Sequence, residues 1–152
     1  MTATMRVRLR LILHGGIILL AGLLCGLPTA VESLQGDAVR LWHTAHEALI
    51  MMGVWMLAST AVVPLVTLPE VEARWLPRCL VAMGYGFLVA LILGSAVGVS
   101  PFSPGHTPLS MLAFVAAVVG IAGAIFGALL TIRGAAASLR AGPASVAGDD
   151  IA

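Results

Sequence analysis

Residues 109–132 read LSMLAFVAAVVGIAGAIFGALLTI, a run without a single charged side chain. A helix that crosses the roughly 30 Å hydrocarbon core of a bilayer needs about 20 such residues. Three further stretches meet the same requirement: Leu9 to Leu27, Trp42 to Val66 and Cys79 to Val99. The alternating segments of about ten residues that build a membrane β-barrel are absent, so helices are the spanning element that satisfies the backbone. The expected fold is an all-α integral membrane protein, a four-transmembrane-helix bundle over residues 1–134. The Ala-, Gly- and Ser-rich segment 135–152 is expected to be a disordered cytoplasmic tail.

Composition points the same way. Of 152 residues, 60% are hydrophobic and 10% charged, with a mean hydropathy of +1.06. Soluble domains carry about 25% charged residues. The net charge is +1 and lysine is absent, so no basic patch exists to neutralise phosphates, and nucleic acid is not an expected partner. Breakers punctuate the connectors: Pro28 and Gly36, then Pro69 and Pro77, then SPFSPGHTP at 100–108.

Arginine placement orients the chain. Arg6, Arg8, Arg10, Arg74, Arg78, Arg133 and Arg140 fall on one side of the expected membrane, and Arg40 stands alone on the other. The positive-inside rule places both termini in the cytoplasm, as in a multi-pass protein of a bacterial-type inner membrane. A lipoprotein signal ending in LLCG at 23–26 would need a small residue before the cysteine, and Leu24 is there instead. Cys25 and Cys79 lie near opposite ends of their helices, beyond disulfide reach, and are expected to be free. Glycines recur at four-residue spacing: Gly22 and Gly26, Gly94 and Gly98, Gly123 and Gly127. Such strips let helices approach closely, either within one subunit or between copies in a homo-oligomer.

Ionisable residues within the apolar runs are costly and therefore informative. His43, His46 and Glu47 share one face at the start of the second helix. Interfacial hydrogen bonding, a zinc site completed by His106, and an axial haem ligand are all compatible with them. His14 lies roughly 13 Å from His46 along the membrane normal, counting 1.5 Å per residue, so the two do not share an iron. It is read as a packing or hydrogen-bonding residue. Met51, Met52, Met56 and Met83 are read as core filling. No dinucleotide motif, phosphate loop or nucleophile triad is present.

Several motifs resemble known families. RLILHGGIILLAGLLCGL from Arg10, Arg40 and His46 six residues apart, Gly53, and LLTIRG at 129–134 resemble the hydroxylaminobenzene mutases. HG at 14–15, AH at 45–46, Pro64, AR at 73–74 and FSP at 102–104 are similar to the styrene oxide isomerases. The resemblance implies a trimeric membrane isomerase with haem b, its iron ligated by the residue at position His46. It further implies rearrangement of a hydrophobic aryl substrate arriving from membrane lipid, with ferric iron as Lewis acid. Arg40 and His43 would neighbour the cofactor, Arg40 either meeting a propionate or pairing with Glu32 or Asp37. The epoxide branch keeps an asparagine, an aspartate and a tyrosine near the substrate, and the matching positions here are Met52, Met83 and Leu91. Tyr85, the only tyrosine, is the remaining candidate for a catalytic polar handle. A haem-binding protein without catalysis, or a purely structural oligomer, is the alternative.

Overall fold

The computed structural model describes residues 3–30 and 36–141. Four helices account for most of them: α1 (Ala3–Cys25), α2 (Asp37–Val62), α3 (Glu70–Val97) and α4 (Pro108–Ala141), with short 3-10 turns at Pro28–Ala30 and Val63–Leu65. No strand occurs among the described residues. All four helices are long and apolar enough to cross a membrane. At 34 residues, α4 is about 51 Å long, well beyond one hydrocarbon thickness.

The boundaries differ from the sequence expectation at two places. α3 begins at Glu70 with Pro69 as its N-cap, so Pro77 lies inside the helix rather than in a connector. A proline there removes one intrahelical hydrogen bond, but it falls early in the helix, and Leu76 and Leu80 on either side are buried. α4 continues past Ala135 to Ala141, and the rest of the expected tail, 142–152, lies outside the described residues. Ser138 explains the extension. Its Oγ accepts the Thr67 N–H at 2.9 Å and lies 3.0 Å from the Leu65 carbonyl, clipping the helix to the α2–α3 connector.

The helices pack as two hairpins, α1 on α2 and α3 on α4, joined through contacts of α3 with α1 and α2. Leu11, Ile18, Leu49, Met56, Leu76, Leu80, Met83 and Leu91 form the buried core between them. Glycine makes the close crossings possible. A Cβ on Gly53 would stand 2.7 Å from Leu19, and one on Gly86 only 2.5 Å from the Gly120 nitrogen. A Cβ on Gly123 would meet Cys79 and Met83 backbone at 2.7 Å. Gly22 and Gly123 are thus used inside the subunit, while Gly98 ends α3 in the left-handed conformation (φ 69°). Cys25 and Cys79 are free.

α4 packs almost wholly on α3 and the Val63–Leu65 turn, and makes no substantial interface with α1 or α2. The bundle is therefore not closed. A cleft remains between α2 and α4, floored by α3.

Candidate functional site

α2 positions two distinct features on its flanks. The first is the histidine cluster. Because α2 starts at Asp37, His46 lies nine residues in, about 14 Å along the axis and deeper in the helix than the sequence suggested. Its Nδ1–H donates to the Gly22 carbonyl at 2.8 Å. That carbonyl belongs to the last turn of α1. The chain beyond it has tightened: the Gly26 N–H goes to Leu23 and the Leu27 N–H to Leu24. His46 therefore ties α2 to the last turn of the neighbouring helix. Gly26 makes room for the ring, since a Cβ there would sit 2.8 Å from Nδ1. A carbonyl can only accept, so in the neutral imidazole the proton is on Nδ1 and the Nε2 lone pair is available as a ligand.

The neighbours of His46 are turned outward. His43 and Glu47 stand 3.5 Å apart on the exposed face. Arg40 pairs with Asp37 at 3.0 Å, and Glu32, the other partner considered, lies outside the described residues. His106 is exposed in the α3–α4 connector. Among the described residues no three His, Cys, Asp or Glu side chains come together to hold a bare metal ion, which leaves zinc without a ligand set.

His14 and Tyr85 meet although they lie 71 residues apart in the chain. The Tyr85 hydroxyl and His14 Nδ1 are 3.0 Å apart, and the rings stand edge to face with centroids at 5.5 Å. With the imidazole protonated on Nε2, the phenol donates. The pair ties α1 to α3 within the apolar bundle and satisfies both groups. His14 is eight residues from Gly22 on α1, so about 12 Å separates the two histidines along the helix, in line with their being unable to share one iron.

The second feature is the α2–α4 cleft, about 650 Å³ in volume. Its wall carries Met51, Met52 and Trp55 from α2, Leu76, Leu80 and Met83 from α3, and Ala124, Gly127 and Ala128 from α4. Met52 and Met83, the positions that the family resemblance places near a substrate, both face this space; Leu91 is buried elsewhere in the core and Tyr85 is not on the wall. Met51 is 71% exposed at the rim rather than core, whereas Met56 is fully buried. Only Ser59 and Thr131 bring hydroxyls to the wall. Neither was singled out by sequence, because a lone hydroxyl in an apolar helix most often bonds to its own backbone.

The cleft and the histidine occupy opposite flanks of α2. Trp55 is nine residues beyond His46, and at about 100° per residue the two side chains leave the helix on opposite sides. One chain by itself does not bring them together.

A family model described as styrene oxide isomerase matches residues 7–136. No curated protein and no solved structure matches the chain.

Proposed function

The chain belongs to the styrene oxide isomerase family, and on that premise we propose that it is a haem-b-dependent membrane isomerase that rearranges a hydrophobic aryl substrate within the α2–α4 cleft. The observation that carries this reading is the coincidence of Met52 and Met83 on one apolar wall. A cleft of 650 Å³ lies within the range of about 300–1,000 Å³ typical of small-molecule sites.

The residues fit the implied cofactor at its ligand. An imidazole held through Nδ1 by a backbone carbonyl has the second-shell support that iron-ligating histidines use. His46 would hold the iron, and Arg40 and His43, earlier on the same helix, would meet the propionates. Haem iron bound there would supply Lewis-acid polarisation of the substrate oxygen or nitrogen. The chain's own contribution is different. Met51, Met52, Met83 and Trp55 would pack the aryl ring, and a wall that is apolar except for two back-bonded hydroxyls would keep water from trapping a developing cation. Opening sideways between two membrane-length helices, the cleft would admit substrate directly from lipid. Tyr85, engaged by His14, would fix α1 against α3 rather than touch substrate.

Because His46 and the cleft are on opposite flanks of α2, the reading requires a homo-oligomer in which the cleft of one copy faces the histidine of the next. A trimer is the assembly that the family resemblance implies. Both termini would be cytoplasmic.

A second reading has an observation behind it: the His46 bond to Gly22 is sufficient structural reason for the histidine. The absorption spectrum of detergent-purified protein separates the two. His46→Gln retains an N–H donor for Gly22 and removes the imidazole. A Soret band in wild type that is lost or displaced in His46→Gln supports ligation. Its absence from wild type after haem reconstitution leaves His46 as a cap. Haem-loaded protein that leaves aryl epoxides and aryl hydroxylamines unchanged overturns the isomerase reading for those classes.

A further inference from the structure

The groove between α1 and α3, on the side of the bundle away from the cleft, carries positive charge that no described carboxylate answers. Arg78 is two residues from both Leu76 and Leu80, which line the cleft, so at about 100° per residue it leaves α3 on the opposite side. Seven residues on, Tyr85 falls within about 20° of the same line and meets His14 of α1 at 3.0 Å. Arg10 lies one turn before His14 and shares its face of α1. The His14–Tyr85 bond therefore sets the register in which Arg10 and Arg78 flank one groove, toward the end where α1 and α3 both begin. Packed helices lie about 8–10 Å apart, a gap that two arginine side chains can close. Both arginines are exposed. Among the described residues the arginine–carboxylate pairs are Arg40–Asp37, Arg74–Glu70 and Arg133–Glu72, and neither Arg10 nor Arg78 is in one.

The surroundings of the pair are those of a membrane boundary. Arg78 stacks over half-exposed Trp75, 5.2 Å from the ring centroid, and indoles collect at that depth. Farther along the same stripes the surface turns apolar, with Ile17 and Leu24 exposed on α1 and Val89 on α3. Between the charged and apolar parts stands His14, about 6 Å deeper than Arg10. With the phenol donating to Nδ1, its remaining N–H is on Nε2, a donor without a partner among the described residues.

We propose that this groove binds an anionic phospholipid, its phosphate clamped by Arg10 and Arg78, its glycerol ester accepting from His14 Nε2–H and its acyl chains lying along Ile17, Leu24 and Val89. Guanidinium groups hydrogen-bond phosphate strongly, and basic sites between membrane helices favour anionic head groups. A phosphatidylglycerol head adds only hydroxyls beside the two arginines, whereas phosphatidylcholine brings a cation against them. The groove and the cleft lie on opposite sides of α3, so this site is independent of the proposed function.

The test uses the full chain with Trp42→Phe and Trp55→Phe, so that Trp75, beside Arg78, is the only indole. It is reconstituted in phosphatidylcholine vesicles that contain an equal, small mole fraction of acyl-brominated phosphatidylglycerol or acyl-brominated phosphatidylcholine. Bromine quenching of Trp75 then reports which lipid occupies the groove. The expected result is stronger association of phosphatidylglycerol, by about fivefold for each arginine. Arg10→Gln with Arg78→Gln should bring the two lipids to parity. Arg8→Gln with Arg140→Gln removes the same charge from the same end and should leave the preference in place. Equal quenching by the two lipids in the starting protein overturns the site before any arginine is changed. A preference that survives Arg10→Gln with Arg78→Gln, or that falls equally in both double variants, belongs to diffuse charge and also overturns it. Excess inorganic phosphate at constant ionic strength should not alter the quenching; loss of the preference there would make the ligand a free phosphate ion and not a lipid.

Discussion

His46 shows how one side chain can serve two physical needs. Its Nδ1–H ties α2 to the last turn of α1, and that same bond leaves the Nε2 lone pair free. Gly26 is the condition for both. Gly26→Ala would place a methyl 2.8 Å from Nδ1, so the ring should leave Gly22. We expect thermal stability in micelles to fall by about 1 kcal/mol for the lost bond, and any Soret band to shift. An unchanged melting curve and spectrum would show that the ring does not depend on this contact. Tyr85 offers a companion case. Tyr85→Phe leaves His14 Nδ1 without its donor and should cost about 1 kcal/mol, the scale of interhelical hydrogen bonds in membranes. In a double-mutant cycle with His14→Phe, a coupling near zero would refute the pairing.

At the level of the helices, stability depends on backbone contact. The α3–α4 crossing brings Gly86 against Gly120, where no Cβ fits. Gly86→Ala should therefore separate the helices at a cost of about 1–3 kcal/mol, read as a lower unfolding midpoint; a gain in stability would mean that the crossing is loose. The other end of this hairpin is held electrostatically. Arg133 on α4 pairs at 2.9 Å with Glu72 on α3, whose side chain is only 22% exposed and whose Oε2 is buried with no hydrogen-bond partner among the described residues. Arg133→Ala leaves that carboxylate both buried and unpaired, while Glu72→Gln removes the charge itself. We expect Arg133→Ala to be the more damaging of the two, by about 1 kcal/mol at neutral pH. The reverse order would show that the pair is solvated and of no consequence.

For the whole molecule, the testable property is orientation. Arg6, Arg8, Arg10, Arg74, Arg78, Arg133 and Arg140 gather at one end of the bundle and Arg40 stands at the other. Fusions to green fluorescent protein at either terminus should fluoresce in a bacterial host, and fusions to alkaline phosphatase at the same points should be inactive. Active phosphatase at either terminus would reverse the assignment. Oligomerisation belongs to this scale too. Under the proposed function, an open bundle with His46 and the cleft on opposite flanks would give a single chain two half-sites, which a symmetric ring of copies would bring together.

Hydropathy by itself determined the four helices, because a backbone in hydrocarbon has no alternative to internal hydrogen bonding and each run is long enough to span. It also marked His46 as a residue needing a reason, since an imidazole in such a run is costly. Its limits were local. Pro77 read as a breaker, because the sequence does not show that buried neighbours hold the helix through it. Ala135 read as the start of a tail, because Ser138's acceptors lie on another helix. Which face of α2 meets α1 and which meets α3 was decided only in the tertiary structure. That choice put His46 on Gly22, His14 on Tyr85, and Ser59 with Thr131 across one cleft. Each depends on partners distant in sequence, and helical periodicity constrains the angle of a side chain about its own axis without saying what will stand opposite it.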